Sequence, residues 1–112
     1  MQLKNKTKDI MIGDHISLAN TFGKRLKGLL GTDLLPFGHG LLITPCSSVH
    51  TFGMSYPIDV LFIDKNGKIL KIVENMSSGK MSMALSSRYV LELPAGTAQQ
   101  TACSIGDELE WQ

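Results

Sequence analysis

The chain has 112 residues, close to the commonest domain size, and 43% of them are hydrophobic and 19% charged. This composition is typical of a soluble globular protein and excludes a disordered chain, and the net charge of +1 gives no reason to expect nucleic acid as a partner. No apolar run approaches the roughly 20 residues of a membrane helix, so we expect one domain over residues 1–112 without membrane insertion.

The N-terminal residues and the two cysteines bear on compartment. Residues 1–7 are polar and basic, and no apolar stretch follows to complete a signal peptide, which predicts a cytoplasmic protein with a disordered tail over 1–7. Cys46 and Cys103 are too few for a disulfide framework. The sequence allows either one Cys46–Cys103 disulfide or two free thiols.

The first half of the chain predicts short strands and one helix. The predicted strands cover residues 8–12, 15–19, 41–44 and 49–52, and the first two are expected to form a hairpin. Apolar residues recur at helical spacing over 22–30, where Asn20 or Thr21 can cap the start and Gly31 can end the helix. Gly28 inside this pattern suggests a close backbone neighbour.

The second half predicts mostly strands. These cover residues 58–64, 68–74 and 88–93, followed by a last strand with Leu109 and Trp111 facing inward. Asp64 is expected opposite Lys68 across a three-residue loop with Gly67 left-handed, and residues 75–87 are expected to be a mobile surface loop. The pattern Thr97-x-x-Gln100 predicts a capping box that opens a short helix.

These elements predict a mainly β fold of the α+β class. About seven short strands with closely spaced turns favour a small antiparallel β-sandwich or partly open barrel. One or two short helices are expected to pack on it. No internal repeat is present.

Six segments occur in the order and at the spacing of a known family. They are Arg25-x-x-Gly28-Leu29-Leu30-Gly31, Gly40-Leu41-Leu42-Ile43, His50-Thr51-Phe52-x-Met54, Pro57-Ile58-Asp59-Val60-Leu61-Phe62-Ile63-Asp64, Val90-Leu91-Glu92-Leu93-Pro94-Ala95-Gly96 and Gly106-Asp107. Together they resemble the DUF192 family, a domain of unknown function, from about residue 15 to the C-terminus. The resemblance implies a compact, mostly β domain and supplies no activity. Because some relatives are exported or neighbour pilus-assembly components, it also implies an envelope-related partner.

The chain departs from the family pattern on both sides of Met54. Gly53 stands where the family usually has a bulky aromatic residue, and Ser55 stands where a basic residue commonly follows. If this segment forms a binding surface, the surface lacks an aromatic wall and a positive charge.

Asp59 is the most informative residue, because it lies in the most apolar strand. Burying an unpaired carboxylate costs several kcal/mol, so a partner is expected, either Arg25 or backbone N–H groups near the 56–57 turn. The interpretation that we favour is a structural carboxylate that ties helix to sheet. The functional interpretation is a general base or a ligand-binding group in a cleft.

Cys46 and His50 are the other groups with catalytic potential, and both are weak candidates. A Cys–His dyad needs the thiol and imidazole within about 3–4 Å, and the intervening serines make that geometry loose. His39, Cys46, His50 and Cys103 are zinc-compatible side chains, but their spacing matches no known finger or ribbon. Neither a metal nor a cofactor is therefore predicted.

The leading hypothesis is a small non-catalytic module that binds a protein or a small ligand, as a monomer or weak dimer. Its predicted binding face consists of Arg25, His50, Met54, Asp59 and Glu92. These residues come from separate segments, yet all fall within the family-like motifs. The rival hypothesis is a hydrolytic or metal-assisted enzyme that uses Asp59 with His50 or Cys46. A third possibility is that the motifs maintain only the fold.

Overall fold

The computed structural model describes all 112 residues and contains ten β-strands and two short α-helices. The strands are β1 (Leu3–Asn5), β2 (Ile10–Gly13), β3 (His15–Ala19), β4 (His39–Ile43), β5 (Ser48–His50), β6 (Ile58–Ile63), β7 (Ile69–Met76), β8 (Met81–Met83), β9 (Tyr89–Pro94) and β10 (Leu109–Trp111), and the helices are α1 (Phe22–Lys27) and α2 (Thr97–Gln100). The predicted mainly β class is confirmed, with more strands than the seven expected. Neither helix is long and apolar enough to cross a membrane.

The strands form three open sheets. The largest has the order β3-β4-β9-β6-β7, a second has the order β10-β1-β2, and β5 pairs with β8. All pairs are antiparallel except β3–β4, which is parallel. The predicted hairpin of residues 8–12 and 15–19 is therefore wrong. The chain crosses between sheets after Gly13, and the amide of His15 donates to the carbonyl of Gly38 at 2.9 Å instead.

All six residues of β6 are buried, which shows that the five-stranded sheet is covered on both faces. Successive side chains alternate between two apolar cores, so that Leu61 and Ile63 enter the first core and Val60 and Phe62 enter the second. The first core comprises Leu3, Ile12, Ile16, Leu42, Leu61, Ile63, Ile69, Leu91, Leu93, Ala98 and Leu109. The second comprises Ala19, Leu29, Ile43, Val49, Met54, Ile58, Val60, Phe62, Met76 and Val90.

The N-terminal residues belong to the folded structure, so the predicted disordered tail over residues 1–7 is wrong. Strand β1 lies between β2 and β10, where its backbone groups pair on both sides. Leu3 fills the first core, and buried Asn5 donates from Nδ2 to Asp107 Oδ2 at 2.9 Å. Two of the partners of this segment, β10 and Asp107, lie at the other end of the chain, and local composition does not reveal them.

Helix α1 begins where the sequence predicts and ends early. Thr21 caps it, since Thr21 Oγ1 accepts from the amide of Lys24 at 3.2 Å. It ends at Gly28, whose φ of +51° lies in the left-handed region, and does not continue to Gly31. No residue of α1 is buried, while Leu29, just beyond the helix, reaches the second core.

The predicted β-hairpin after β6 is confirmed, and the predicted mobile loop is not. The amide of Asp64 donates to Lys68 O at 2.9 Å, and Gly67 has a φ of +86°. Residues 75–87, in contrast, contain β8, which pairs with β5 from Ser48↔Met83 to His50↔Met81. The irregular composition of this segment concealed a strand whose partner lies some thirty residues earlier.

Asp59 is fully buried, and backbone amides are its partners. Its Oδ1 accepts from the amide of Asn75 at 2.8 Å, and its Oδ2 accepts from the amides of Gly96 at 3.0 Å and Ala98 at 2.9 Å. Neither Arg25 nor the 56–57 turn takes part, so both expected partners are wrong. The carboxylate connects β6 to β7 and to the start of α2.

This arrangement replaces the predicted capping box of α2. Gly96 occupies the N-cap position, no side chain of the helix caps it, and Thr97 Oγ1 is buried without a partner. Asp59, a residue of a distant strand, accepts the free amides at the helix start. The favoured structural role of this carboxylate thus has a geometric basis.

We expect Asp59→Asn to lower the free energy of unfolding by about 2 kcal/mol or more, because one oxygen becomes an amide donor that faces backbone N–H groups. Urea denaturation measures the change. Asp33→Asn on the exposed surface is the matched control and should change stability by less than about 0.5 kcal/mol. A loss at Asp59 as small as the loss at Asp33 would contradict the structural role.

Candidate functional site

A cavity of about 90 Å³ lies between α1, the β4–β5 region and the sheet. It has room for several water molecules or for a ligand group of a few heavy atoms. Four of the five residues of the predicted binding face line it, and they are Arg25, His50, Met54 and Glu92. The fifth, Asp59, does not.

Glu92 reaches the cavity because of its register in β9. Its neighbours Leu91 and Leu93 belong to the first core, and Val90, two residues earlier, belongs to the second. Glu92 pairs with Val60 of β6, which also faces the second core. Since paired residues of antiparallel strands share a face, the Glu92 carboxyl enters the cavity from the sheet.

Asp59 lies on the opposite face of the same two strands. It pairs with Leu93 and alternates with Val60, so it faces the first core. The sheet therefore separates the Asp59 carboxylate from the cavity, and Asp59 does not share a face with the other four residues of the predicted binding face. The sequence shows which residues of one strand share a face, but not how two strands are aligned.

Glu92 is a buried acid without a partner. The residue is 5% exposed, its Oε1 atom is buried, and no protein donor reaches that atom. The ion pairs of the structure lie elsewhere, at Lys4–Asp9, Lys8–Asp107 and Asp14–His15. Burial raises the pKa of Glu92 to about 7, because surroundings of low polarity disfavour the charged carboxylate.

Arg25 places a guanidinium group at the same cavity. Its Nη1 donates to the carbonyl of Pro45 at 3.1 Å, while its Nε is buried without an acceptor. The cavity is thus lined by residues that hold one unpaired buried donor, on Arg25, and one unpaired buried acceptor, on Glu92. Buried polar atoms in native proteins nearly always have partners, so these two atoms indicate a place for water or ligand.

Cys46 and His50 line the cavity without forming a dyad. The Cys46 thiol donates to the carbonyl of Ser48 at 3.2 Å, and no hydrogen bond joins it to His50. The His50 side chain is exposed and stacks on Phe52, with ring centroids 5.3 Å apart. Burial raises the pKa of the Cys46 thiol most, the charge of Glu92 raises it further, and the Ser48 carbonyl contact and Arg25 oppose the rise. A raised pKa disfavours the reactive thiolate.

The zinc-compatible side chains do not converge. No group of three or more His, Cys, Asp and Glu side chains is placed to hold a metal ion. His39 stacks on His15 with ring centroids 4.8 Å apart, and both cysteines are free. Cys103 packs against the first core and Cys46 against the second.

Gly28 contributes to the site through its backbone. A Cβ at this position would lie 3.8 Å from Glu92 Oε1, so the end of α1 forms a wall beside the carboxyl group. The close backbone neighbour expected from the sequence is not found, because the one atom within 4 Å of this Cβ position is a side-chain oxygen at ordinary van der Waals distance. A glycine within a helical pattern was the available signal, and it did not identify Glu92 as the neighbour.

The loop after β5 carries the departures from the family pattern. Gly53 has a φ of +81°, and a Cβ there would lie 3.4 Å from Leu30 Cδ2, so a bulky side chain would be strained in this conformation. Ser55 Oγ donates to Thr32 O at 3.3 Å, and Tyr56 Oη shares a hydrogen bond with Thr32 Oγ1 at 2.7 Å. These contacts fasten the loop to the segment that follows α1.

Comparison with known proteins places the chain in a family. The DUF192 family profile, described as "Uncharacterized ACR", matches residues 2–111. A UPF0127 protein of Thermococcus sibiricus is 29% identical over 98% of this chain and 74% of its own length. A UPF0127 protein of Pyrococcus horikoshii is 26% identical over 96% of both chains.

Two solved structures share the fold. A Sinorhizobium meliloti protein described as a "putative transcription regulator" aligns with a TM-score of 0.84 and 28% identity, over 97% of this chain and 89% of that one. A protein of unknown function from Novosphingobium aromaticivorans aligns with a TM-score of 0.80 and 22% identity, over 98% and 82%. Because the family profile spans nearly the whole chain, and in agreement with the motif resemblance, this protein belongs to the DUF192 family.

Proposed function

We propose that this protein is a small non-catalytic binding module whose site is the cavity beneath α1. The ligand carries a cationic or donor group for Glu92 and an anionic or acceptor group for Arg25. The observation that supports the proposal is the pair of buried, unpartnered atoms, Glu92 Oε1 and Arg25 Nε, on residues that line one cavity. A ligand with both groups would satisfy both atoms with charge-assisted hydrogen bonds.

The site surroundings suit such a ligand. An ammonium group beside Glu92 would favour the ionised carboxylate, which burial alone disfavours. A guanidinium group such as that of Arg25 binds carboxylates through two parallel hydrogen bonds. Buried Met54 and Leu29 supply apolar walls, and exposed His50 stands at the rim.

The enzymatic alternative has less support. The two oxygens of Asp59 accept hydrogen bonds from three backbone N–H groups on the far side of the sheet, and the thiol of Cys46 has a raised pKa.

A role in transcription regulation, the description of the S. meliloti protein, is not proposed for this chain. The helices here have six and four residues and the net charge is +1, which does not favour a helix that reads the DNA major groove. An envelope-related partner stays a prediction from the family resemblance.

The buried acid should make stability depend on pH. The pKa of Glu92 is about 7 in the folded protein against an ordinary value of 4.5, so between these values the folded state binds more protons than the unfolded state. The free energy of unfolding therefore falls as pH rises through this window, by at most about 3 kcal/mol from this group. Glu92→Gln should remove that part of the dependence.

Urea denaturation at about pH 5 and about pH 8 tests this prediction. The stability of Glu92→Gln relative to the unsubstituted protein should increase between the two pH values. Glu74→Gln, at an exposed glutamate, is the matched control and should show no such change. A constant difference for Glu92→Gln would mean that this carboxyl titrates normally.

Glycine is the simplest probe for the site, because it carries an ammonium and a carboxylate. Titration of ¹⁵N-labelled protein with glycine at about pH 8 should shift the amide signals of residues 25–30, 46 and 92. Arg25→Ala and Glu92→Gln should each weaken binding about tenfold or more, the effect of losing a charged hydrogen bond. Binding should also weaken at about pH 5.5, where Glu92 is protonated.

Matched controls make the glycine experiment decisive. Lys65→Ala and Glu74→Gln remove exposed charges outside the cavity and should leave the affinity unchanged. Acetate and methylammonium carry one group each and should bind more weakly than glycine. Signal shifts that are absent, or that persist in both Arg25→Ala and Glu92→Gln, would refute the proposed site.

A further inference from the structure

A larger recess of about 530 Å³ adjoins the cavity. The two spaces share Arg25, Leu26, Ile43, Cys46 and Ser48, so they meet between α1 and the chain from the end of β4 to the start of β5. The volume of the recess falls within the range of about 300–1,000 Å³ that is typical of small-ligand sites. Eleven residues line it, fewer than the roughly 20–30 a side of a standard protein interface. The recess therefore suits a ligand of modest size.

The walls of the recess include three large apolar side chains that the protein does not cover. Phe22 and Leu26 of α1 are 74% and 69% exposed, and Leu85, after β8, is 84% exposed. Single exposed apolar residues are common on protein surfaces, but several around one recess mark an interaction site. They would pack against an apolar part of a ligand.

The two charged residues that line the recess are both positive. Arg25 and Arg88 line it, no acidic residue does, and neither arginine is in an ion pair. Both residues are attached to the same segment, 44–46. Arg25 Nη1 donates to Pro45 O at 3.1 Å, and the carbonyl of Arg88 accepts from the amide of Cys46 at 3.0 Å. Two arginines without an ion pair that line one recess favour a carboxylate.

We infer that the ligand is a short apolar peptide with free termini. Its ammonium lies in the cavity at Glu92, its carboxylate binds Arg25 and Arg88, and its apolar side chains pack against Phe22, Leu26 and Leu85. The placement of the ammonium rests on the proposed function, whereas the carboxylate and side-chain contacts rest on the recess.

The dipeptide Leu-Leu is the probe, and each analogue of it lacks one recognised feature. N-acetyl-Leu-Leu lacks the ammonium, Leu-leucinamide lacks the carboxylate, and Gly-Gly lacks the apolar side chains. Isothermal titration at about pH 8 should show that each analogue binds about tenfold or more weakly than Leu-Leu.

Each substitution in the protein should remove the contact that one of the analogues lacks. Arg88→Ala should weaken Leu-Leu about tenfold and leave Leu-leucinamide unaffected, because the lost contact is already absent there. Leu85→Ser should weaken Leu-Leu but not Gly-Gly, and Glu92→Gln should weaken Leu-Leu but not N-acetyl-Leu-Leu. Both Arg88 and Leu85 are exposed, so these variants should fold, which their melting temperatures check. Lys65→Ala is the control outside both spaces.

The possible failures are distinguishable. In one case glycine binds through Arg25 and Glu92, but Leu-Leu binds no tighter than Gly-Gly and Arg88→Ala leaves the affinity for Leu-Leu unchanged. The peptide inference is then overturned and the proposed function stands. If Leu-Leu binds through Arg88 and Leu85 but Glu92→Gln leaves the affinity for Leu-Leu unchanged, the inference of a free ammonium in the cavity is overturned. If neither glycine nor Leu-Leu binds, both proposals fail.

Discussion

The alternation of side chains across one pair of buried strands governs the rest of this molecule. Strands β6 and β9 are hydrogen-bonded neighbours at the centre of a sheet with a core on each face, and each strand carries one buried acid. The register pairs Asp59 with Leu93 and Glu92 with Val60, so the two acids point in opposite directions. A slip of one residue between these strands would place both acids on one face.

The two acids differ in their hydrogen-bond partners. Asp59 receives three backbone amides and thereby joins β6, β7 and the start of α2, which makes it part of the framework. Glu92 receives no donor at its buried Oε1 and lies in a cavity that Arg25 also lines. A fully satisfied carboxylate stabilises the fold, while an unsatisfied one is a candidate for function. Burial alone would not have separated these roles.

Some local features could be predicted from the sequence, although the hairpin of residues 8–12 and 15–19 was not among them, and features that depend on distant partners could not. The Thr21 cap and the hairpin around Gly67 involve residues a few positions apart, and both agree with the structure. Strand β1 is ordered because it pairs with β10, which lies more than a hundred residues later in the chain. Arg25, His50, Met54 and Glu92 were predicted for the binding face because they fall in family-like motifs, and all four line the cavity. Asp59 was misplaced because a motif does not specify register between strands.

Helix α1 forms the roof of the cavity although none of its residues is buried. A six-residue helix has little stability of its own in water, and here its attachments are the Thr21 cap, the hydrogen bond from Arg25 to Pro45 and the chain that follows Gly28. The roof is therefore the wall of the site that can open at the smallest free-energy cost. A molecule could enter and leave from this side while both cores stay intact, so exchange need not involve unfolding of the sheet.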